Sequence, residues 1–304
     1  LNLFFNVLDY EPIEQIKDEK GLTKVLSTIR AGEYVDGEFR LNTAGALFFA
    51  KDISKFNLSH QVKMVRFFDD EGVKTFDKAE FNMSFLKLLE EAELFFNKTL
   101  VNISQINGFK RETIQEYPFE AIREALVNAM AHRDYTITTA AITFYIYNDR
   151  IEIKSPGRLV YPLTVDDLEK NDPIHRNETI CNIFSKTTYM EHVGTGIKRM
   201  KDAMRLNNLE EPEFIESEGF FKVIFRSNEG SNGLNSRQKQ FLRMNDIAEI
   251  TIKEYMGMFD IVRNTATKDL NDLVDMNIVN KIKKGVLFIY RKNWLISWWK
   301  MKIF

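Results

Sequence analysis

EAIREALVNAMAHRDYT, residues 120–136, is the stretch on which the reading of this chain turns. Ile122, Ala125, Leu126, Ala129 and Met130 recur at helical spacing and make one apolar stripe, and Pro118 suits a helix N-terminus, so a helix is predicted from Pro118 to Met130. Glu124 and Asn128 stand four residues apart and therefore share a face of that helix. A carboxylate can orient or deprotonate water, and a carboxamide oxygen suits Mg²⁺, which prefers oxygen ligands and keeps several waters. Such a pair is more often a solvated helix face, so its meaning depends on what the rest of the chain supplies.

Downstream, AITFYIYN and RIEIKS read as two strands joined by a tight Asn148-Asp149 turn. SPGRL follows at Ser155–Leu159, then VGTGIKRM at Val193–Met200, with GTGIKRMKDAMRLN read as a helix and FFKVIFRS as a closing strand. Gly194 and Gly196 allow the backbone to approach a phosphate, and the N–H groups of the helix they open favour an anion. Upstream, FRLNTAGALFFAKD and HQVKMVRFFDD read as strands or buried segments, and apolar residues from Phe81 to Leu100 keep a helical spacing. The expected fold class is α+β, with helices on an antiparallel sheet in a two-layer sandwich.

Bulk properties narrow the field. The chain has 304 residues, enough for two or three domains at about 150 residues each. The 44% hydrophobic and 28% charged residues argue against global disorder. The single cysteine, Cys181, excludes an internal disulfide framework and fits a reducing, cytoplasmic setting. No apolar run reaches the roughly 18 residues of a membrane span, LNLFFNVLDYEPIEQ lacks a basic signal-peptide start, and NWLISWWKMKIF at the end reads as a packed strand. Among His60, His132, His175 and His192 no metal-ligand spacing occurs, so no zinc site is expected, and without GxxxxGK[ST] a P-loop motor has no support. His132, four residues beyond Asn128, either positions a phosphate or holds the helix end.

The net charge of −2 conceals an asymmetry: from Gly233 onward there are 13 Lys and Arg against 7 Asp and Glu, and before it 29 against 37. SNEGSNGLNS, Ser227–Ser236, reads as a linker into this basic part, and a weaker break falls at 107–117. Beyond the linker, SRQKQFLRMN, ITIKEYMGMFD and RNTATKDLNDLVDMNIVNKI read as three helices and GVLFIYRKN as a strand. Arg263, Asn264, Thr265, Thr267 and Lys268 at the start of the third helix, with Lys283 and Lys284 in a following wing, are the candidate contacts to double-stranded DNA.

The order of E-x-x-x-N helix, strand pair, glycine turn, long loop and GxG resembles the GHKL superfamily of ATPases. REALVNAMAHRDY, IEIKSPGRL and EHVGTGIKRM are similar to a GHKL subgroup of prokaryotic ATP-binding transcriptional regulators. LNTAGALFFAKD with VKMVRFF resembles the later part of a Schlafen AlbA-like domain, and TATKDLNDLVDMNIV the recognition helix of winged-helix factors. The resemblance implies a partial AlbA-like region with a connecting helix over 1–107, an ATP-binding domain over 108–230 and a winged helix over 234–304. It implies Glu124 as the water-activating base, Asn128 as Mg²⁺ ligand, Gly157 in the adenine-side turn, and Gly194, Thr195 and Gly196 in the phosphate-side lid. Ser155-Pro156 stands where the superfamily places an Asp, and Arg176-Asn177-Glu178 where it has Arg-Asn-Pro. The implied protein is a nucleotide-responsive DNA-binding regulator, expected as a homodimer using ATP and Mg²⁺, with any hydrolysis slow. A nuclease-like AlbA protein gated by the ATP-binding domain, or a degenerate dimerisation scaffold, are the alternatives.

Overall fold

The computed structural model describes residues 18–293 apart from 57, 59–60, 68–70, 101, 108–109, 171–173, 191–193, 228–233, 245–246 and 286. The readings made on 1–15, on most of the linker, on His60 and His192, and on the aromatic end at 294–304 lie outside the described residues. The fold is α+β, as expected. It divides into two compact units, the described parts of Leu1–Phe95 with Pro118–Arg226, and of Phe96–Tyr117 with Ser227–Phe304.

The first unit opens with α1 (Glu19–Thr28), the hairpin β1 (Gly32–Val35) and β2 (Glu38–Leu41), and α2 (Thr43–Phe49). FRLNTAGALFFAKD, read as a strand or buried segment, begins in β2 and is buried from Ala44 to Phe48, there as a helix that the Asn42 side chain caps by accepting from the Gly45 N–H at 2.9 Å. Then come β3 (Val62–Phe67), β4 (Thr75–Phe81), α3 (Phe85–Thr99), α4 (Phe119–His132), β7 (Ile142–Ile146), β8 (Arg150–Pro156), α5 (Glu178–Phe184), α6 (Gly196–Leu206), β9 (Glu213–Ser217) and β10 (Phe220–Arg226). Numbers five and six belong to a hairpin of the second unit, β5 (Asn102–Asn107) with β6 (Lys110–Gln115), which occupies what the sequence suggested as a weak break.

One six-stranded sheet runs β4-β3-β7-β8-β10-β9. The strands read from the sequence, β7, β8 and β10, pair antiparallel as expected, and only β3, added beside β7, runs parallel to its neighbour. The sheet takes strands from both sides of the 107/108 division drawn from the sequence. In β7 buried and half-buried positions alternate, the two-residue period of a strand with one face in the core. Buried Arg66 ties β3 to the β7–β8 turn, donating to the Ile146 carbonyl and to Asn148 Oδ1, both at 2.9 Å. Phe48, Phe85 and Phe184 pack with ring centroids 4.6–5.5 Å apart and gather α2, α3 and α5 around one core.

The second unit carries α7 (Ser236–Arg243), β11 (Glu249–Thr251), α8 (Ile252–Phe259), α9 (Arg263–Asp275), β12 (Val279–Lys284) and β13 (Leu287–Lys292), the strands pairing in the order β11-β13-β12. Its core is formed by Leu234, Phe241, Ile250, Tyr255, Ala266, Leu270, Leu273, Ile278, Val279 and Tyr290. The third helix is shorter than the sequence suggested. Asn277 turns left-handed at φ 56°, and the Asn277 and Ile278 N–H groups donate back to the Val274 and Leu273 carbonyls, the double bond of a Schellman cap, after which the chain becomes β12. Among the described residues no helix is long and apolar enough to cross a membrane.

Candidate functional site

Helix α4 is the floor of the site. It packs on α6, β8 and α5 through Ala121, Ile122, Ala125, Leu126 and Ala129, all buried, while Glu124 and Asn128 turn toward a cleft. The cleft has a volume of about 170 Å³. A single water needs only about 10–15 Å³, so the space is large enough for an organic ligand. Glu124, Asn128, His132, Gly157, Gly194 and Gly196 all line it, so every cofactor-side residue inferred from the sequence except Thr195 borders one cavity. Thr195 is the N-cap residue of α6 between the two glycines. Ile153, Leu163, Met200, Phe214, Phe221 and Val223 give the cleft apolar walls, which with a few convergent polar groups is the usual make-up of a small-molecule site.

Glu124 is 4% exposed. Its Oε2 accepts from Arg199 at 2.7 Å and its Oε1 from Asn128 Nδ2 at 3.1 Å. Burial pushes its carboxyl above the usual range and outweighs the opposing pull of Arg199 and of the Asn128 hydrogen bond. A buried carboxyl raised in this way is poised as a base nearer neutral pH. Gly196 lies directly against this pair: a Cβ there would stand 2.1 Å from Glu124 Oε1 and 3.4 Å from Asn128 Nδ2. The donor set, one carboxylate and one carboxamide, consists of hard oxygens and fits Mg²⁺.

Gly157 has φ 114°, a conformation L side chains rarely adopt, and a Cβ would stand 2.8 Å from Asp134 Cβ. The turn is fixed on both sides, by Asp134 N–H donating to the Pro156 carbonyl at 2.8 Å and Gly157 N–H to the Gly219 carbonyl at 2.9 Å. Ser155 donates to the Ala129 carbonyl at 2.9 Å and fastens β8 to α4.

Arg199 and His175 had no signal in the sequence, and Arg176 and Asn177 were flagged only by the Arg-Asn-Pro comparison. Arg199 faces Glu124 because it follows Gly196 by three residues on α6, one turn along the same face. Arg176 reaches Asp134 at 3.3 Å and the Arg158 carbonyl at 2.7 Å. Asn177 donates to the Ala131 and Arg133 carbonyls at 2.9 and 2.8 Å, closing the C-terminal end of α4. Beside it the His132 and His175 rings stack with centroids 5.5 Å apart. Burial, then the neighbouring His175 and Arg176 charges, hold His132 down to about 4, so the ring is neutral at physiological pH.

In the second unit Arg263, Asn264 and Lys268 are exposed along the first half of α9, with Thr265 and Thr267 half-buried beside them. The first turn of α9 carries no acidic residue. Lys283 and Lys284 are exposed at the β12 end of the β12–β13 hairpin, and Lys284 pairs with Glu249 at 3.7 Å.

Residues 139–225 match a family model described as "Putative ATP-dependent DNA helicase recG C-terminal". The matched segment holds β7 to β10 with Gly157, Gly194 and Gly196, and begins after Glu124 and Asn128. It is an ATPase-like fold. Among solved structures, the DIP2311 protein from Corynebacterium diphtheriae is similar, with a TM-score of 0.58 at 19% identity over 92% of this chain. The chain spans 59% of that protein's length, and at this identity the likeness is one of fold. No curated protein matches the chain.

Proposed function

We propose that the chain is a nucleotide-responsive DNA-binding regulator, in which the α4–α6 cleft takes ATP with Mg²⁺ and the second unit, read as a winged helix, contacts DNA. The observation that carries the first half is the convergence of Glu124, Asn128, Gly157, Gly194 and Gly196 on one apolar-walled cleft. In this reading the apolar walls accept the base, and the backbone around Gly194 and Gly196, with the start of α6, receives the phosphates. Mg²⁺ would be held by Asn128 and would neutralise phosphate charge, with Glu124 beside it as the water-activating base. Arg199 pairs with the Glu124 carboxylate at 2.7 Å, and hydrolysis is slow in this reading because the carboxylate must exchange that partner.

Calorimetry of ATP with Mg²⁺ on the whole chain and on Asn128→Ala tests this. Binding by the parent that weakens at least about tenfold in the variant is expected, since a metal ligand and a buried hydrogen bond are lost together. Absence of binding by the parent chain would sink the nucleotide reading and leave a dimerisation scaffold.

Support for the DNA half comes from α9, whose first turn is free of acidic residues and carries exposed Arg263 and Asn264, with exposed Lys268 one turn further on, an arrangement suited to phosphate and major-groove contacts. Charge reversal by Lys268→Glu or Arg263→Glu is expected to weaken binding to a mixed-sequence duplex by about tenfold each and to flatten its salt dependence. A gel shift in which both variants match the parent at every salt concentration would place DNA binding elsewhere.

A further inference from the structure

At the end of α4 three side-chain ligands meet that sequence spacing did not bring together. The available side-chain ligand atoms of His132, His175 and Cys181 all lie within 4.8 Å of one another. Each comes from a different segment: His132 is the last residue of α4, His175 sits on the loop before α5, and Cys181 is buried inside α5. The segments are pinned rather than merely adjacent. Asn177 donates to the carbonyls on both sides of His132, and the Cys181 sulfur lies 4.0 Å from the Ala131 carbonyl. Both imidazoles border the cleft, while the cysteine is not among its lining residues. The nearby positive charge of Arg176 is met by Asp134 at 3.3 Å.

We infer that His132, His175 and Cys181 form a binding site for a borderline-soft divalent ion of the Zn²⁺ class, with its fourth position open to the cleft. Two imidazoles and a thiolate suit zinc and disfavour Mg²⁺, which takes oxygen ligands. With Zn–N near 2.1 Å and Zn–S near 2.3 Å, a tetrahedral site needs its ligand atoms about 3.3–3.6 Å apart. The present spacing, within 4.8 Å for every pair, therefore closes by a little over 1 Å at most, a movement shared among the three side chains. Three protein ligands leave one coordination position, and the cleft side is where it opens, so water or an anionic group of a cleft ligand completes the shell. Binding displaces one proton, from the Cys181 thiol, and involves no electron transfer. The site is independent of the Glu124–Asn128 pair and of whether the cleft takes ATP.

Cobalt(II) reports on such a site through the sulfur-to-metal absorption that thiolate coordination produces. Untagged chain stripped with chelator is titrated with Co²⁺ and then with Zn²⁺. One equivalent of Co²⁺ is expected to generate the thiolate band, and one equivalent of Zn²⁺ to remove it. Cys181→Ser is expected to lose the band, and His175→Ala to weaken Co²⁺ at least about tenfold, since even indirect supporting partners of a metal site are worth 10–100-fold. His175 is exposed, so its replacement leaves the fold intact and keeps the test valid where the buried serine does not. Asn128→Ala is expected to keep the band, which separates this site from the proposed Mg²⁺ site. Absence of a thiolate band in the parent chain, or a Co²⁺ affinity unchanged in His175→Ala, overturns the assignment.

Discussion

Gly196→Val is expected to weaken ATP binding by about 100-fold and to lower the melting temperature of the chain, while Gly257→Ala does neither. A Cβ at 196 would fall 2.1 Å from Glu124 Oε1, and that oxygen has little freedom to retreat. It accepts from Asn128, its partner oxygen is paired with Arg199 at 2.7 Å, and the residue is buried. Either Glu124 swings away and leaves a buried ion pair broken, or α6 lifts from α4 and opens their packed face. Overpacking costs about 1–3 kcal/mol and a broken buried pair about 3–5 kcal/mol. About 3 kcal/mol is a conservative total, which shifts the melting temperature by roughly 6–12 °C. Imposed on the ligand-competent arrangement, the same cost lowers ATP affinity by about 100-fold. Gly257 is the control, because a Cβ there meets nothing within 4 Å, and alanine in mid-helix gains up to about 1 kcal/mol. A Gly196→Val chain that melts with the parent would mean that α6 does not press on Glu124, whatever happens to ATP.

The parts of this molecule that could be read in advance are those whose physics is local. α4 and the β7–β8 pair announce themselves by period and by the Asn148-Asp149 turn. The β1–β2 hairpin was equally legible and was missed: Asp36-Gly37, with both residues at positive φ, is the standard two-residue turn signal. β9 was harder, because its turn to β10 uses Glu218-Gly219, and a glutamate at positive φ is not a residue the turn rules anticipate. α9 ran too long on paper because Asn277 reads as an ordinary helix-tolerated residue until its left-handed cap is seen. The site divides in the same way. Glu124 and Asn128 could be picked out by their four-residue spacing, and Gly194 and Gly196 by their glycine pair. Arg176, Asn177 and the His132, His175, Cys181 cluster depend on α5 returning to the end of α4 across more than 40 residues, which no spacing encodes. The parallel pairing of β3 with β7 is long-range in the same sense, since 74 residues, about a quarter of the chain, lie between Phe67 and Ile142.

Asp269→Ala is expected to unfold the second unit selectively. The Asp269 side chain is 3% exposed, and its carboxylate accepts from Asn235 at 2.7 Å and from Arg237 at 2.7 and 3.2 Å. Its own carbonyl accepts from Gln238 at 2.7 Å. Asn235 and Gln238 also form the capping box of α7, so one residue of α9 secures the start of another helix as well as the contact between them. Alanine leaves the Asn235 amide and the Arg237 guanidinium without their acceptor and opens a void beside Tyr255 and Leu270, which belong to the core. Removing one partner of a buried pair costs about 3–5 kcal/mol, and the partial exposure of Arg237 puts this case near the lower figure. For a unit of this size about 3 kcal/mol is a large share of total stability. Thermal unfolding followed by amide hydrogen exchange is expected to show protection lost in α7 and α9 while α4 and β8 keep theirs. Asp269→Leu combined with Arg237→Met is expected to recover much of the loss, because an apolar pair of similar volume replaces the charges without leaving either alone. Failure of that rescue, with the single Asp269→Ala chain melting like the parent, would show that α7 is held by its apolar contacts and not by the carboxylate.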